Sequence, residues 1–217
     1  MCGRYALYEP VDQVAQRIGY PVRSSESLPG NGYNIPPGGF IVAVAAVDEK
    51  PEILPMWWGF RPHWAGEDAP EPINARAENV AGSNFFKGSF ARHRCIIPAN
   101  GWFEWRQNNG DKQPFYIHHR DGDLLLMAGI FTTDEDGNPA CCILTEDARG
   151  PAKDIHPRMP VVLGEGVEIW LDPETHDRET LKRKVKHLSP DRLCFRPVSA
   201  RVNNPRNDDE DVLKEVS

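Results

Sequence analysis

The chain has 217 residues, with 25 Lys and Arg against 32 Asp and Glu and a formal net charge of −7. This length holds one large domain or two small ones with a substantial core, and the acidic balance argues against non-specific duplex binding while leaving room for a small basic cleft. No apolar run approaches the ~18 residues of a membrane span and no signal-peptide pattern opens the chain, so a soluble, cytoplasmic protein with no membrane partner is expected. Five cysteines with no C-x-x-C pair indicate neither a disulfide framework nor a zinc site, and no metal or cofactor is expected. The absence of linkers and repeats suggests a single domain over 1–217. Asp208, Asp209, Glu210 and Asp211 read as part of a solvated, mobile acidic tail from about residue 207.

In chain order, the first feature is Met1-Cys2-Gly3-Arg4. Removal of Met1 would leave Cys2 with a free α-amine of pKa about 8 beside a thiol of about 8.5. Such a pair suits an aldehyde: the amine forms a Schiff base and the thiolate closes a thiazolidine. Taken alone, Cys2 reads as an inert residue near a terminus. Val11, Val14, Ala15 and Ile18 recur at i, i+3, i+4 and i+7, which predicts a helix over 11–18.

Apolar or alternating runs then predict strands at 41–47, 53–58, 115–119, 124–130, 141–144, 161–163 and 194–198. Asp121-Gly122 and Asp136-Gly137-Asn138 read as hairpin turns, and a second helix fits 179–187. The fold class expected is α+β: β-rich, with antiparallel sheets curled into a barrel-like body and a few peripheral helices.

Four stretches carry candidate chemistry. The aromatics of Met56 to Trp64 could stack on nucleobases or form a core strand and loop. Alternation from Ile73 to Glu78 puts Asn74, Arg76 and Glu78 on one side, either as a phosphate-holding set or as a polar outer face. In Asn100-Gly101-Trp102-Phe103-Glu104-Trp105, Trp102 and Glu104 share one face while Phe103 and Trp105 share the other. A glutamate covered on both sides would be pushed toward neutrality and suit general acid–base work; the alternative is an edge-strand carboxylate in water. Finally, His156 stands just before Pro157 and Arg158 lies between Pro157 and Pro160, in a turn of little freedom, where the histidine could move protons or be structural. His118-His119 and Cys141-Cys142 read as structural pairs.

Together these stretches resemble the SRAP family, the SOS-response-associated peptidase or abasic-site-processing proteins. The matching stretches are MCGRY at 1–5, YNIPPG at 33–38, WGFRPHW at 58–64, NARAEN at 74–79, RCIIPANGWFEW at 94–105, QPFYI at 113–117, MAGIF at 127–131, ILTEDA at 143–148, IHPRMPVVL at 155–163 and PVSARVN at 197–203. They run in family order. The resemblance implies sheets curled around a cleft and a DNA-repair protein that crosslinks to abasic sites in single-stranded DNA through Cys2. It further implies that Glu104 shuttles protons, Asn74 holds the amine or adduct, and His156 binds the opened sugar and assists reversal. Phosphate contacts carry onto Arg4, Arg76 and Arg158, and a base-stacking wall onto Pro37 and Trp58, with Trp57 a lesser addition. A monomer is expected, nucleoid-associated when on DNA, and lyase or autopeptidase activity could accompany crosslinking. The family usually has Asp where Pro157 stands, which bears on the placement of His156 and hence on reversal. Alternatives are a thiol peptidase, an amidohydrolase of the kind that also begins Met-Cys-Gly, and a non-catalytic single-strand binding module.

Overall fold

A computed structural model describes residues 2–23, 27–46, 50–66, 68–108, 110–134 and 136–216. Its strands and helices are β1 (Tyr5–Leu7), α1 (Val11–Ile18), β2 (Gly32–Ile35), β3 (Phe40–Ala46), β4 (Pro51–Trp58), β5 (Asn74–Arg76), α2 (Lys87–Arg92), β6 (Arg94–Ala99) and β7 (Gly101–Asn108), followed by β8 (Asp111–His119), β9 (Leu125–Thr133), β10 (Pro139–Asp147), β11 (Arg158–Pro160), β12 (Val162–Glu165), α3 (Val167–Leu171), α4 (Arg178–Lys184), β13 (Lys186–His187) and β14 (Leu193–Pro197). The expected α+β class is what the chain adopts, with sheet dominant. Among the described residues no helix is long and apolar enough to cross a membrane.

Two sheets organise the molecule. One is antiparallel, in the order β14-β8-β7-β1-β2. In the other, β3 pairs β4 and β6, β6 pairs β9, β9 pairs β10 and β10 pairs β4. Those five strands close into a ring, which removes their free edges. β3, β6 and β9 are covered on both faces, with Val44, Ile96, Met127 and Ile130 all buried in the main apolar cluster. β10 runs parallel to β4 and β5, a departure from a mainly antiparallel expectation. Its far half pairs with β5 through Ile143↔Asn74 and Thr145↔Arg76, and with β11 through Thr145↔Pro160 and Asp147↔Arg158. A single long strand thus brings two distant polar segments side by side.

The sheets pack over a main apolar cluster, while the outer face of the smaller sheet carries a second one built from Ala6, Phe103, Tyr116, Val198, Val202, Val212 and Leu213. β7 serves both: Trp102 enters the main cluster, and Phe103 and Trp105 meet the second. The close β7–β8 approach depends on Gly101, where a Cβ would fall 2.5 Å from the Ile117 carbonyl and the Tyr116 ring.

Two expectations are corrected. Asp121-Gly122 is a turn but no hairpin, because β8 and β9 belong to different sheets; the turn at 136–138 does join the antiparallel pair β9 and β10. The acidic segment after residue 207 is also held in place: Asp208 accepts hydrogen bonds from the backbone N–H groups of Tyr33 (2.6 Å) and Asn34 (2.8 Å), and Val212 and Leu213 are buried. Charge run and apolar anchor are adjacent there, and the anchor decides the position.

Candidate active site at the Cys2 end of the chain

Four residues far apart in sequence converge where the smaller sheet meets the ring. Cys2 lies one turn of chain before β1 and is fully buried. Asn74 opens β5 and donates from Nδ2 to the Cys2 carbonyl at 2.9 Å. Glu104 sits mid-β7, opposite Phe115, with only 3 % of its surface exposed. His156 follows the 3-10 helix Gly150–Asp154 and precedes β11, its Nδ1 4.0 Å from Glu104 Oε2.

The backbone explains why this polar group forms inside an apolar body. β7 is pinned to the N-terminal segment through Trp102↔Tyr5 pairing and the Phe103 N–H to the Arg4 carbonyl at 2.9 Å. Alternation then turns Glu104 to the same side as Trp102. Asn74 is placed by Trp58, whose indole N–H donates to the carbonyl of Ile73 at 3.0 Å. The His156 ring is fixed by its own turn: Nδ1 lies 3.0 Å from both the amide and the carbonyl of Arg158, and the Pro157 carbonyl accepts from the Ala148 N–H at 2.9 Å.

Electrostatics follow from burial. Desolvation raises the Glu104 carboxyl above its ordinary value, and the nearby His156 opposes that rise only in part. Burial, then the charge of Glu104, pushes the Cys2 thiol well up; a hydrogen bond from the Arg4 backbone pulls the other way. A thiol held neutral beside a carboxyl of raised pKa can pass a proton to it when sulfur becomes a nucleophile. Asn74 Oδ1 is buried with no hydrogen-bond partner among the described residues, so an acceptor stands ready next to Cys2.

An open cavity of about 450 Å³ adjoins this group, lined by Glu104, Trp105, Lys112, His156 and Asn203. Trp105 and Asn203 form one wall, joined by an indole N–H to Oδ1 hydrogen bond of 2.7 Å. None of Trp105, Asn203 and Lys112 was assigned to the site from the sequence, although Trp105 lies in the stretch read around Glu104. Trp105 and Asn203 lie in stretches that carry the family resemblance, whereas Lys112 had no signal.

The expected DNA-contact residues divide. Arg4 is half-buried and donates to Asn34 Oδ1 and the Val202 carbonyl, both at 2.9 Å; its buried Nε has no partner among the described residues. Arg76 is exposed at the end of β5. Arg158 is already occupied: Nη1 reaches Glu78 at 2.7 Å and Asp147 at 2.6 Å, and Nη2 reaches Glu78 at 2.9 Å and the Thr145 carbonyl at 2.7 Å. Pro37 is half-buried in the turn before Gly38, whose φ of 79° needs a glycine and whose N–H donates to the Trp58 carbonyl. Trp58 is 0 % exposed and packs edge-on against Tyr5 at 5.5 Å. Its ring is covered, so it supports Asn74 from behind and offers no stacking face. Trp57 is half-buried against Phe40. The exposed aromatic of that motif is Trp64, 60 % exposed and braced by Phe85 at 5.7 Å.

Sheets curled around a buried cysteine, with an amide, a carboxyl and an imidazole converging on it, define a compact β-rich class with one polar site at the chain's start. The chain belongs to the SOS response associated peptidase (SRAP) family, whose pattern it matches over residues 1–205. It is 32 % identical over 224 residues to the abasic site processing protein YedK of Escherichia coli K12, covering 100 % of both chains. It is also 34 % identical over 194 residues to the abasic site processing protein HMCES of Gallus gallus, covering 74 % of this chain and 56 % of that one. Among solved structures, a protein from Bacteroides thetaiotaomicron superposes with a TM-score of 0.84 at 22 % identity over 100 % of both chains, a likeness of fold. A phage-related protein from Bordetella bronchiseptica gives 0.71 at 29 % identity, covering 91 % of this chain and 94 % of that one.

Proposed function

We propose that this protein processes abasic sites in single-stranded DNA by forming a thiazolidine crosslink through Cys2 after removal of Met1, a residue outside those described. The observation that carries the reading is the convergence of Asn74, Glu104 and His156 on a buried Cys2. The names of its relatives support abasic-site processing as the setting.

The ring-opened abasic sugar presents an aldehyde at C1′. The Cys2 amine adds to that carbon, giving a carbinolamine, and Glu104 in its neutral form protonates the hydroxyl that leaves as water. The product is an iminium ion, and Glu104 is left as a carboxylate. That carboxylate takes the thiol proton as sulfur bonds to C1′, which leaves the ring nitrogen neutral and returns Glu104 to its neutral form. One water is lost overall. Asn74 holds the N-terminal residue through its carbonyl. His156, whose ring is fixed by the Arg158 backbone, binds the opened sugar in this account and returns a proton on reversal.

Arg4 and Arg76 are the phosphate contacts in this account. Arg158, closed on Glu78, serves first to hold the His156 turn. Trp64 takes the stacking role expected of Trp58. Lyase activity would follow if the iminium ion loses the 3′ phosphate by β-elimination before sulfur adds.

The test is incubation of the purified protein with an oligonucleotide carrying one abasic site, single-stranded or in duplex, followed by a denaturing gel. A band that survives heat and detergent, formed faster on the single strand, is the expected result. Equal rates on both would remove the single-strand preference, and no band from protein that begins at Cys2 would remove the crosslinking reading.

A further inference from the structure

A second cavity, of about 460 Å³, has no part in the chemistry at Cys2. Its floor is apolar, made by Leu144, Val161, Leu163, Trp170, Leu181 and Val185, each largely buried. Its rim carries Arg178, Lys182 and Lys186, all exposed and all from α4 or the strand that follows. Two carboxylates also line it, but both are engaged. Glu78 is closed on Arg158, and Glu146 on Arg149 and His187. Lys182 Nζ in turn meets Glu179 at 3.1 Å, so the charge left to meet a partner is that of Arg178 and Lys186, and it is positive. The surrounding sequence has the same bias: residues 178–187 hold Arg178, Lys182, Arg183, Lys184 and Lys186 against Glu179 alone, in a chain of net charge −7.

From this charge pattern over an apolar floor, we propose that the groove is a docking site for an acidic peptide segment of another protein that carries an aliphatic or aromatic anchor. The floor favours buried side chains over a phosphodiester backbone, whose charges would have to be desolvated there. The lysine and arginine rim steers carboxylates and fixes which end of the segment lies over α4. Burial of one or two anchors in the floor supplies the affinity that rim charges in water do not. The position is suited to tethering. Glu78 belongs to the groove wall and also holds Arg158, the residue whose backbone fixes the His156 ring. A docked segment would sit beside the Cys2 site without entering it.

The test uses the full chain and a fluorescein-labelled dodecapeptide with Asp and Glu in its first half and Leu and Phe in its second, titrated by fluorescence anisotropy. Saturable binding that weakens with salt is expected. It should be lost when Leu and Phe are replaced by Ser, and weakened about tenfold or more in the Lys182→Glu, Lys186→Glu double variant, the effect of reversing two rim charges that face an acidic segment. Both substitutions are at exposed positions, and adduct formation at Cys2 should be unchanged in the double variant. The proposal is overturned by no saturation up to about a millimolar peptide, by equal binding of the serine peptide, or by equal binding to the double variant. A labelled oligothymidylate that binds with the same dependence on Lys182 and Lys186 would make the groove a nucleic-acid surface instead. Self-association that the double variant abolishes would make the occupant a second copy of the chain.

Discussion

Cys2 and the trio Cys95, Cys141 and Cys142 are the same residue type in the same apolar cluster, and all four are fully buried. Burial raises the thiols of Cys2, Cys95 and Cys142 alike. What separates Cys2 is its company. Its backbone carbonyl is held by Asn74 and a carboxyl of raised pKa stands beside it, whereas the neighbours of Cys95 and Cys142 that affect their protons are other cysteines. Desolvation makes a thiol inert, and only a nearby proton acceptor with access to substrate reverses that. The contrast between assisted Cys2 and unassisted Cys95 and Cys142 is the claim most open to being broken.

The largest expected effect lies in that contrast itself. Cys2→Ala should abolish adduct formation on denaturing gels, while Cys95→Ala, Cys141→Ala and Cys142→Ala should each leave its rate unchanged. A slow rate in any of the three would mean that the core thiols take part. Next comes the assisting group. Glu104→Gln keeps the shape and removes the proton exchange, so single-turnover adduct formation should slow by roughly 10²–10⁴-fold, and an unchanged rate would detach Glu104 from the chemistry.

The same substitution should act on stability in the opposite direction. The folded-state pKa of Glu104 is raised above its unfolded value, chiefly by burial, so the folded chain holds this proton more tightly than the unfolded chain. The group therefore costs nothing below its unfolded pKa and lowers stability progressively as pH rises through the folded one. Glu104→Gln is expected to raise Tm at pH about 7 and to leave it nearly unchanged at pH about 3, which thermal melts at the two pH values would check. A lower Tm at neutral pH would show that ionised Glu104 is a net stabilising group.

Smaller effects sharpen the account of DNA contact. Trp64→Ala should weaken capture of single-stranded DNA by about 1–3 kcal/mol, the value of one stacked base, read as a shift in the concentration dependence of adduct formation. A loss below that range would return Trp64 to the role of a surface aromatic. Arg4→Ala and Arg76→Ala should each reduce the salt dependence of capture by about one ion, whereas Arg158→Ala should leave the slope alone and instead slow reversal through the His156 turn. Equal slopes for all three variants would reject the division of roles among the arginines.

Much of this was readable from the chain. The 11–18 stripe became α1 with the same limits, and aromatics on both sides of Glu104 told correctly that the residue is covered, since alternation assigns faces whatever the partners are. The failures have equally physical causes. A strand pattern cannot say whether a tryptophan is covered or faces solvent, so the reading of Met56 to Trp64 as stacking aromatics could not separate buried Trp58 from exposed Trp64. β1 and β11 have three residues each, too few for a period to show, and the alternation over 73–78 gave the faces of β5 but not its partner, yet β5 and β11 carry Asn74 and Arg158 to β10. Their placement is a matter of long-range parallel and antiparallel pairing that no local pattern encodes. The tail was misjudged because Asp208 to Asp211 dominate the composition, while Val212 and Leu213 determine the packing.

The most direct test of the central claim is the intact mass of the product formed between the purified protein and single-stranded DNA carrying one abasic site. The account predicts a species equal to the chain lacking Met1 plus the DNA less one water, absent with Cys2→Ala. An adduct that retains Met1, or one that forms as well with Cys2→Ala, would contradict it.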